Sequence, residues 1–182
     1  MLTATVLKKF SIVAIGATAI AIGTVGSAHA TSVTFDDLPQ LRYDAKYISN
    51  GYAGFNWSNF AYTTGVKIAV SSGYETGTVS GTNVAFNAYG KPAAVSIDSG
   101  TFDFNSAYLT SAWNNGNEIA VEGLFNGESK YSQKVVVNTK KPIKFDFNFL
   151  GINQLKFSSS LAHFVMDNFT FNEPLSDCGV RH

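Results

Sequence analysis

Polar and apolar residues alternate strictly along Phe145-Asp146-Phe147-Asn148-Phe149. In an extended chain the three phenylalanines leave one side, while Asp146 and Asn148 leave the other. A period of two is the mark of a strand with one buried face, because successive side chains point to opposite faces of a sheet. The pattern recurs at Phe102-Asp103-Phe104 and Phe169-Thr170-Phe171. Val33–Phe35, Val66–Val70, Val84–Tyr89, Ala93–Ile97, Ala107–Trp113, Glu118–Phe125, Tyr131–Val137 and Ile152–Phe157 are further strand candidates, rich in the Val, Thr, Tyr and Phe that strands favour. No apolar stripe of helical period follows residue 30. Turn signals punctuate the candidates: Asn50-Gly51, Ser72-Gly73, Ser99-Gly100, Asn114-Asn115-Gly116 and Asn126-Gly127. The last of these separates two strong strands and predicts a hairpin. Roughly eight to ten short strands at this spacing predict an all-β fold, a two-sheet antiparallel β-sandwich of the jelly-roll kind.

The first thirty residues read as an address. Lys8 and Lys9 form a positive start, Phe10 to Gly26 an apolar stretch, and Ala28-His29-Ala30 a small-residue cleavage site. Those three parts make a secretory signal peptide, with cleavage expected after Ala30. The apolar run is short of the ~20 residues a membrane span needs and is broken by Gly16, Gly23 and Gly26. The expected organisation is a signal peptide over 1–30, a β-sandwich domain over 31–172 and a C-terminal tail over 173–182. The expected destination is the periplasm, the cell surface or the medium, with no transmembrane anchor expected in the mature chain.

Composition narrows the function classes. The 182 residues carry 13 Lys+Arg and 13 Asp+Glu. Removal of the leader takes two lysines and no acid, so acids then exceed bases by two. Such a chain lacks the basic footprint of a nucleic-acid binder. Its single cysteine, Cys178, permits no intrachain disulfide and no cysteine-based zinc cluster, though it leaves an intermolecular disulfide open.

Leu7-Lys8-Lys9-Phe10 and Ala21-Ile22-Gly23-Thr24-Val25-Gly26 resemble the leaders of cyanobacterial exported proteins of the PEP-CTERM sorting type. In the rest of the chain, Val33-Thr34-Phe35-Asp36-Asp37-Leu38, Gly51-Tyr52-Ala53-Gly54-Phe55-Asn56-Trp57, Phe104-Asn105-Ser106-Ala107-Tyr108-Leu109 and Met166-Asp167-Asn168-Phe169-Thr170-Phe171 are similar to β-sandwich domains of such proteins. The resemblance implies a sandwich similar to galactose-binding-like jelly rolls, several of which bind sugars and carry a structural calcium. One departure stands out: after Glu173-Pro174 the sorting type continues with an apolar span and a basic cluster, and here neither is expected.

Two constellations are candidates for chemistry. Asp167 shares strand parity with Val165, Phe169 and Phe171, which would point its carboxylate inward. Asp37 likewise shares parity with Val33 and Phe35. A buried carboxylate must be protonated, hydrogen-bonded or bound to a cation. Terminal strands of a jelly roll often lie together, so Asp36 or Asp37 could meet Asp167 in an oxygen-rich site suited to Ca²⁺. The alternative is a structural Asp that caps backbone N–H groups. The second constellation is Tyr52-Ala53-Gly54-Phe55-Asn56-Trp57-Ser58-Asn59-Phe60-Ala61-Tyr62. Aromatic rings stack on the C–H faces of sugars, and amides bind their hydroxyls. Trp57 with Tyr52, Asn56, Asn59 and Tyr62 is the preferred glycan patch, and Trp113 with Asn114 and Asn115 a second one. The alternative for both tryptophans is core packing.

No Gly-x-Ser-x-Gly, His-Glu-x-x-His or phosphate-binding loop is present, and His163 has no catalytic partner in a recognised pattern. The expected function is a non-catalytic extracytoplasmic binding module for carbohydrate or exopolysaccharide. The alternatives are a structural or adhesive envelope protein without a discrete ligand site, and a glycoside hydrolase using a carboxylate pair.

Overall fold

The computed structural model describes residues 31–69 and 71–172. The signal-peptide and tail expectations, and Cys178, therefore lie outside the described residues. Among the described residues the twelve strands are β1 (Thr31–Val33), β2 (Lys46–Tyr47), β3 (Asn56–Ser58), β4 (Phe60–Thr64), β5 (Asn83–Asn87), β6 (Ala93–Ser96), β7 (Phe102–Ser111), β8 (Asn117–Phe125), β9 (Glu128–Val137), β10 (Ile143–Ile152), β11 (Gln154–Ser159) and β12 (Phe164–Phe171). Two helical turns, α1 (Gly65–Ile68) and α2 (Gly73–Thr76), lie between β4 and β5.

The strands form two antiparallel sheets, as the alternation predicts. One runs β10-β7-β12-β5-β4-β2, with β1 also on β12; the other runs β3-β6-β11-β8-β9. Within them, β5-β12-β7-β10 faces β6-β11-β8-β9, the interleaved order of a jelly roll. The first and last strands meet as expected, with Thr31 opposite Phe171 and Val33 opposite Phe169. The Asn126-Gly127 hairpin joins β8 to β9, both residues at positive φ (51° and 85°), as a two-residue turn of this hand requires.

A phenylalanine-rich core fills the space between the sheets. Phe35, Phe60, Phe104, Phe157, Phe164 and Phe169 are all fully buried there. A second, smaller cluster covers the outer face of the larger sheet: Ala61, Tyr74, Val84, Phe86, Ala88, Ala112 and Val165. Both faces of β5 are thus buried, and α2, lying against β7 and β12, explains why.

The segment Val66–Val70 departs from its expected strand: Gly65–Ile68 folds as α1. Short apolar runs are ambiguous between strand and buried helix, and here Gly65 is pinned by its N–H to Thr82 O (2.9 Å). The structure also adds β2, outside every strand candidate, and β3 and β4, which run through the aromatic segment Tyr52–Tyr62.

Candidate functional site

The Trp57 patch is corrected by burial. Trp57 is only 5% exposed. Phe60, Phe35 and Phe169 meet it edge-on at centroid distances of 5.4, 5.8 and 5.9 Å. Its indole N–H donates to Tyr52 O at 2.9 Å. No face of the ring is open for a sugar, because β3 places Trp57 on the inner side of its sheet. Tyr62 is buried for the same reason. Asn59 Nδ2 donates to the carbonyls of Ala88, Lys91 and Pro92 and so ties two turns together. Asn56 Nδ2 donates to Asp98 Oδ1 at 2.6 Å. Of the five patch residues, Tyr52 alone keeps a partly open ring, and its hydroxyl donates to Asp37 Oδ1 at 2.6 Å. Burial and that carboxylate push its pKa up.

The three candidate metal ligands separate into two groups. Asp37 is exposed and turned to Tyr52. Asp36 and Asp167 come together around the loop 79–83. Asp167 Oδ2 accepts the N–H groups of Val79 (2.7 Å) and Ser80 (3.0 Å), and Oδ1 accepts that of Asn168 (2.7 Å). Asp36 Oδ1 accepts those of Thr82 (2.7 Å) and Asn83 (3.0 Å). At Gly81, with φ at +48°, a Cβ would sit 2.1 Å from the Asp36 carboxylate, so only glycine lets the loop close.

The inward orientation expected for Asp167 is also corrected. Asp167 is fully buried, but Asn168 has φ 49° and the pairing with β7 slips between Asp167 and Thr170. This bulge separates the parity of Val165 from that of Phe169. Val165 belongs to the outer cluster and Phe169 to the main core, while Asp167 meets the 79–83 loop. Burial, first, and the neighbouring Asp36 charge raise the Asp167 pKa to about 6, against the lowering effect of its three N–H partners.

Calcium takes six to eight oxygen ligands. Here N–H donors point at the carboxylates a cation would need, and among the described residues no group of three or more His, Cys, Asp or Glu is arranged to hold a metal. Asp36, Asp37 and Asp167 do not fit a calcium site. Melting with and without excess chelator is expected to give the same Tm. A fall of several degrees, restored by Ca²⁺ alone, would reinstate the metal.

The structure assembles a different aromatic site on the outer face of the larger sheet. A hollow of about 230 Å³ is lined by Ala45, Lys46, Tyr47, Ala61, Phe86, Ala88, Tyr89 and His163. Edge strand β2 brings Tyr47 opposite Ala61 of β4, and β4 pairs Ala61 with Phe86 of β5. The chain then turns after β5 with Tyr89 at φ 55°. Tyr47 and Tyr89 are 56% and 76% exposed. The small side chains of Ala61 and Ala88 leave the floor low. His163, just before β12, lies 5.5 Å from Phe86 ring to ring, and its Nδ1 is 2.6 Å from the Tyr74 hydroxyl. Burial lowers the His163 pKa and raises that of Tyr74, so both are neutral at pH 7. Tyr74 also meets Trp113, which is 54% exposed, edge-on at 5.4 Å. Tyr47 lay outside every strand candidate and Tyr89 closed the Val84–Tyr89 candidate, so neither stood out in the sequence.

No family model matches the sequence, and none of the curated proteins matches it. Among solved structures, the K2 cleaved adhesin domain of Lys-gingipain (Kgp) is similar over 81% of this chain and 99% of its own, at 12% identity and a TM-score of 0.52. The carbohydrate-binding module TmCBM61, in complex with β-1,4-galactotriose, aligns over 70% of this chain and 98% of its own, at 12% identity and a TM-score of 0.37. The likeness to the K2 domain shows a shared β-sandwich fold and leaves function to the site.

Proposed function

We propose that this protein is a non-catalytic, extracytoplasmic carbohydrate-binding module that holds a sugar unit in the Tyr47–Tyr89 hollow. The observation that carries this reading is the make-up of the hollow: two exposed tyrosine rings over a floor of alanine and phenylalanine, with phenol and imidazole groups at its margin. A sugar offers an apolar C–H face to rings and hydroxyls to polar edges, and the hollow has the complement of both. No carboxylate lines it, so the pair that glycoside hydrolysis needs is absent from its walls. Export rests on the leader reading of residues 1–30. The adhesin role of the Lys-gingipain K2 domain, which shares the sandwich, supports a role in attachment.

Affinity electrophoresis through gels containing β-1,4-galactan, cellulose, xylan or bacterial exopolysaccharide tests the reading. Retardation is expected on at least one of them. Tyr47→Ala combined with Tyr89→Ala is expected to weaken it at least tenfold, equivalent to about 1.4 kcal/mol. Both rings are exposed, so the double variant should melt within a few degrees of the parent. Retardation that the double variant leaves untouched would place any glycan site elsewhere. Retardation by no polysaccharide would favour the structural or adhesive alternative.

A further inference from the structure

We propose that Tyr74 locks His163 in the Nε2–H tautomer, so that the imidazole presents a fixed, uncharged N–H donor to the hollow for the hydroxyl of a neutral sugar. The role assigned to the donor rests on the glycan reading above; the position of the proton does not.

The inference follows from burial. The Tyr74 side chain is 2% exposed, and its hydroxyl lies 2.6 Å from His163 Nδ1. Two arrangements satisfy that distance. If Nδ1–H donated to the phenol oxygen, the Tyr74 O–H proton would be left buried without an acceptor among the described residues, an arrangement that native structures avoid. If the Tyr74 O–H donates to Nδ1, the contact is satisfied and the ring proton must sit on Nε2. Nδ1 faces Tyr74, so Nε2 is the nitrogen left for the hollow that His163 lines.

The surroundings fix the ring and keep it neutral. Phe86 from β5 flanks it at 5.5 Å and Tyr74 from α2 at 6.3 Å. Its backbone is held by Ala112 N–H donating to His163 O at 3.1 Å, and the next residue by Phe164 N–H donating to Asn87 Oδ1 at 2.8 Å. Among the residues lining the hollow the other titratable groups are Tyr47, Tyr89 and Lys46, and no acid lines it to draw a second proton onto the ring. Tyr74 is therefore a positioning residue and His163 the group that meets the ligand. A ring held in one tautomer spends no orientational freedom on binding, which favours a ligand that needs one directed donor.

The test is long-range ¹H–¹⁵N correlation spectroscopy of the imidazole in the ¹⁵N-labelled protein at pH 7.5, without ligand. The expected result is an unaveraged Nε2–H pattern for His163 in the parent and a tautomer-averaged pattern in Tyr74→Phe. A Nδ1–H pattern, an averaged pattern in the parent, or a pattern unchanged by Tyr74→Phe would overturn the proposal. His163→Gln and His163→Asn supply the ligand arm on whichever polysaccharide retards the parent. Glutamine carries its amide near the Nε2 position and is expected to keep within about threefold of parental retardation. Asparagine carries its amide near Nδ1 and is expected to lose at least tenfold. Equal retardation by the two variants would overturn the donor role. Loss of retardation by the parent on every polysaccharide would instead sink the glycan reading and leave the spectroscopic result to decide the tautomer.

Discussion

Trp57→Ala is expected to lower the unfolding free energy by about 4 kcal/mol, within the range seen when a buried large aromatic is truncated. In a domain of this size that is a fall of roughly 10 °C in Tm. The indole touches Phe35, Phe60 and Phe169 and links the core to Tyr52 through its N–H, so its removal empties a volume that three fully buried rings cannot collapse into. Urea denaturation followed by far-UV circular dichroism measures the effect, and Trp113 remains as a fluorescent reporter on the other face of the larger sheet. Trp57→Phe keeps most of the ring volume and should cost about half as much. It should also leave glycan retardation unchanged. A folded Trp57→Phe protein that no longer binds would show that the aromatic patch first read from the sequence is the site after all.

Asp167→Ala is expected to be nearly as damaging, by about 3–5 kcal/mol, because three backbone N–H groups from Val79, Ser80 and Asn168 lose their acceptor together. The deficit should depend on pH in a defined direction. The folded-state pKa of Asp167, about 6, lies above its reference value of 3.8. A raised carboxyl binds its proton more tightly in the folded state, so its contribution is fully present below about pH 4 and declines as pH rises through 6. Two pH units correspond to roughly 3 kcal/mol at most. The gap between the parent and Asp167→Ala in urea midpoints should therefore be wider at pH 4 than at pH 7. A gap that widens with rising pH would mean that the N–H donors outweigh desolvation and hold the carboxyl below its ordinary value.

Much of the fold was legible because alternation and turn chemistry are local. Phe145, Phe147 and Phe149 do face the core and Asp146 and Asn148 do not. The Asn126-Gly127 hairpin forms for the steric reason that identified it, and β1 meets β12 as the jelly-roll reading requires. Of the two alternatives, Asp36 or Asp37 beside Asp167, the structure places Asp36 there, and the loop that joins them was not visible in the sequence. A single extra residue at Asn168 separates Asp167 from the phenylalanines whose parity it shares in the sequence. Strand parity cannot register such a bulge, since a bulge depends on how the neighbouring strand pairs.

The candidate site was the least legible part. Trp57 and Tyr62 look like a display of rings in a polar setting, but a second sheet covers one and the main core the other. Tyr47 and Tyr89 look unremarkable in the chain and become neighbours only when β2, β4 and β5 pair side by side. By itself the sequence determined the all-β class, most strand positions and the tightest hairpin, because steric period and turn geometry act over two to four residues. Tertiary structure alone decided which aromatic rings are covered and which stand open. Exposure depends on the elements packed over a residue, and those come from segments dozens of positions away.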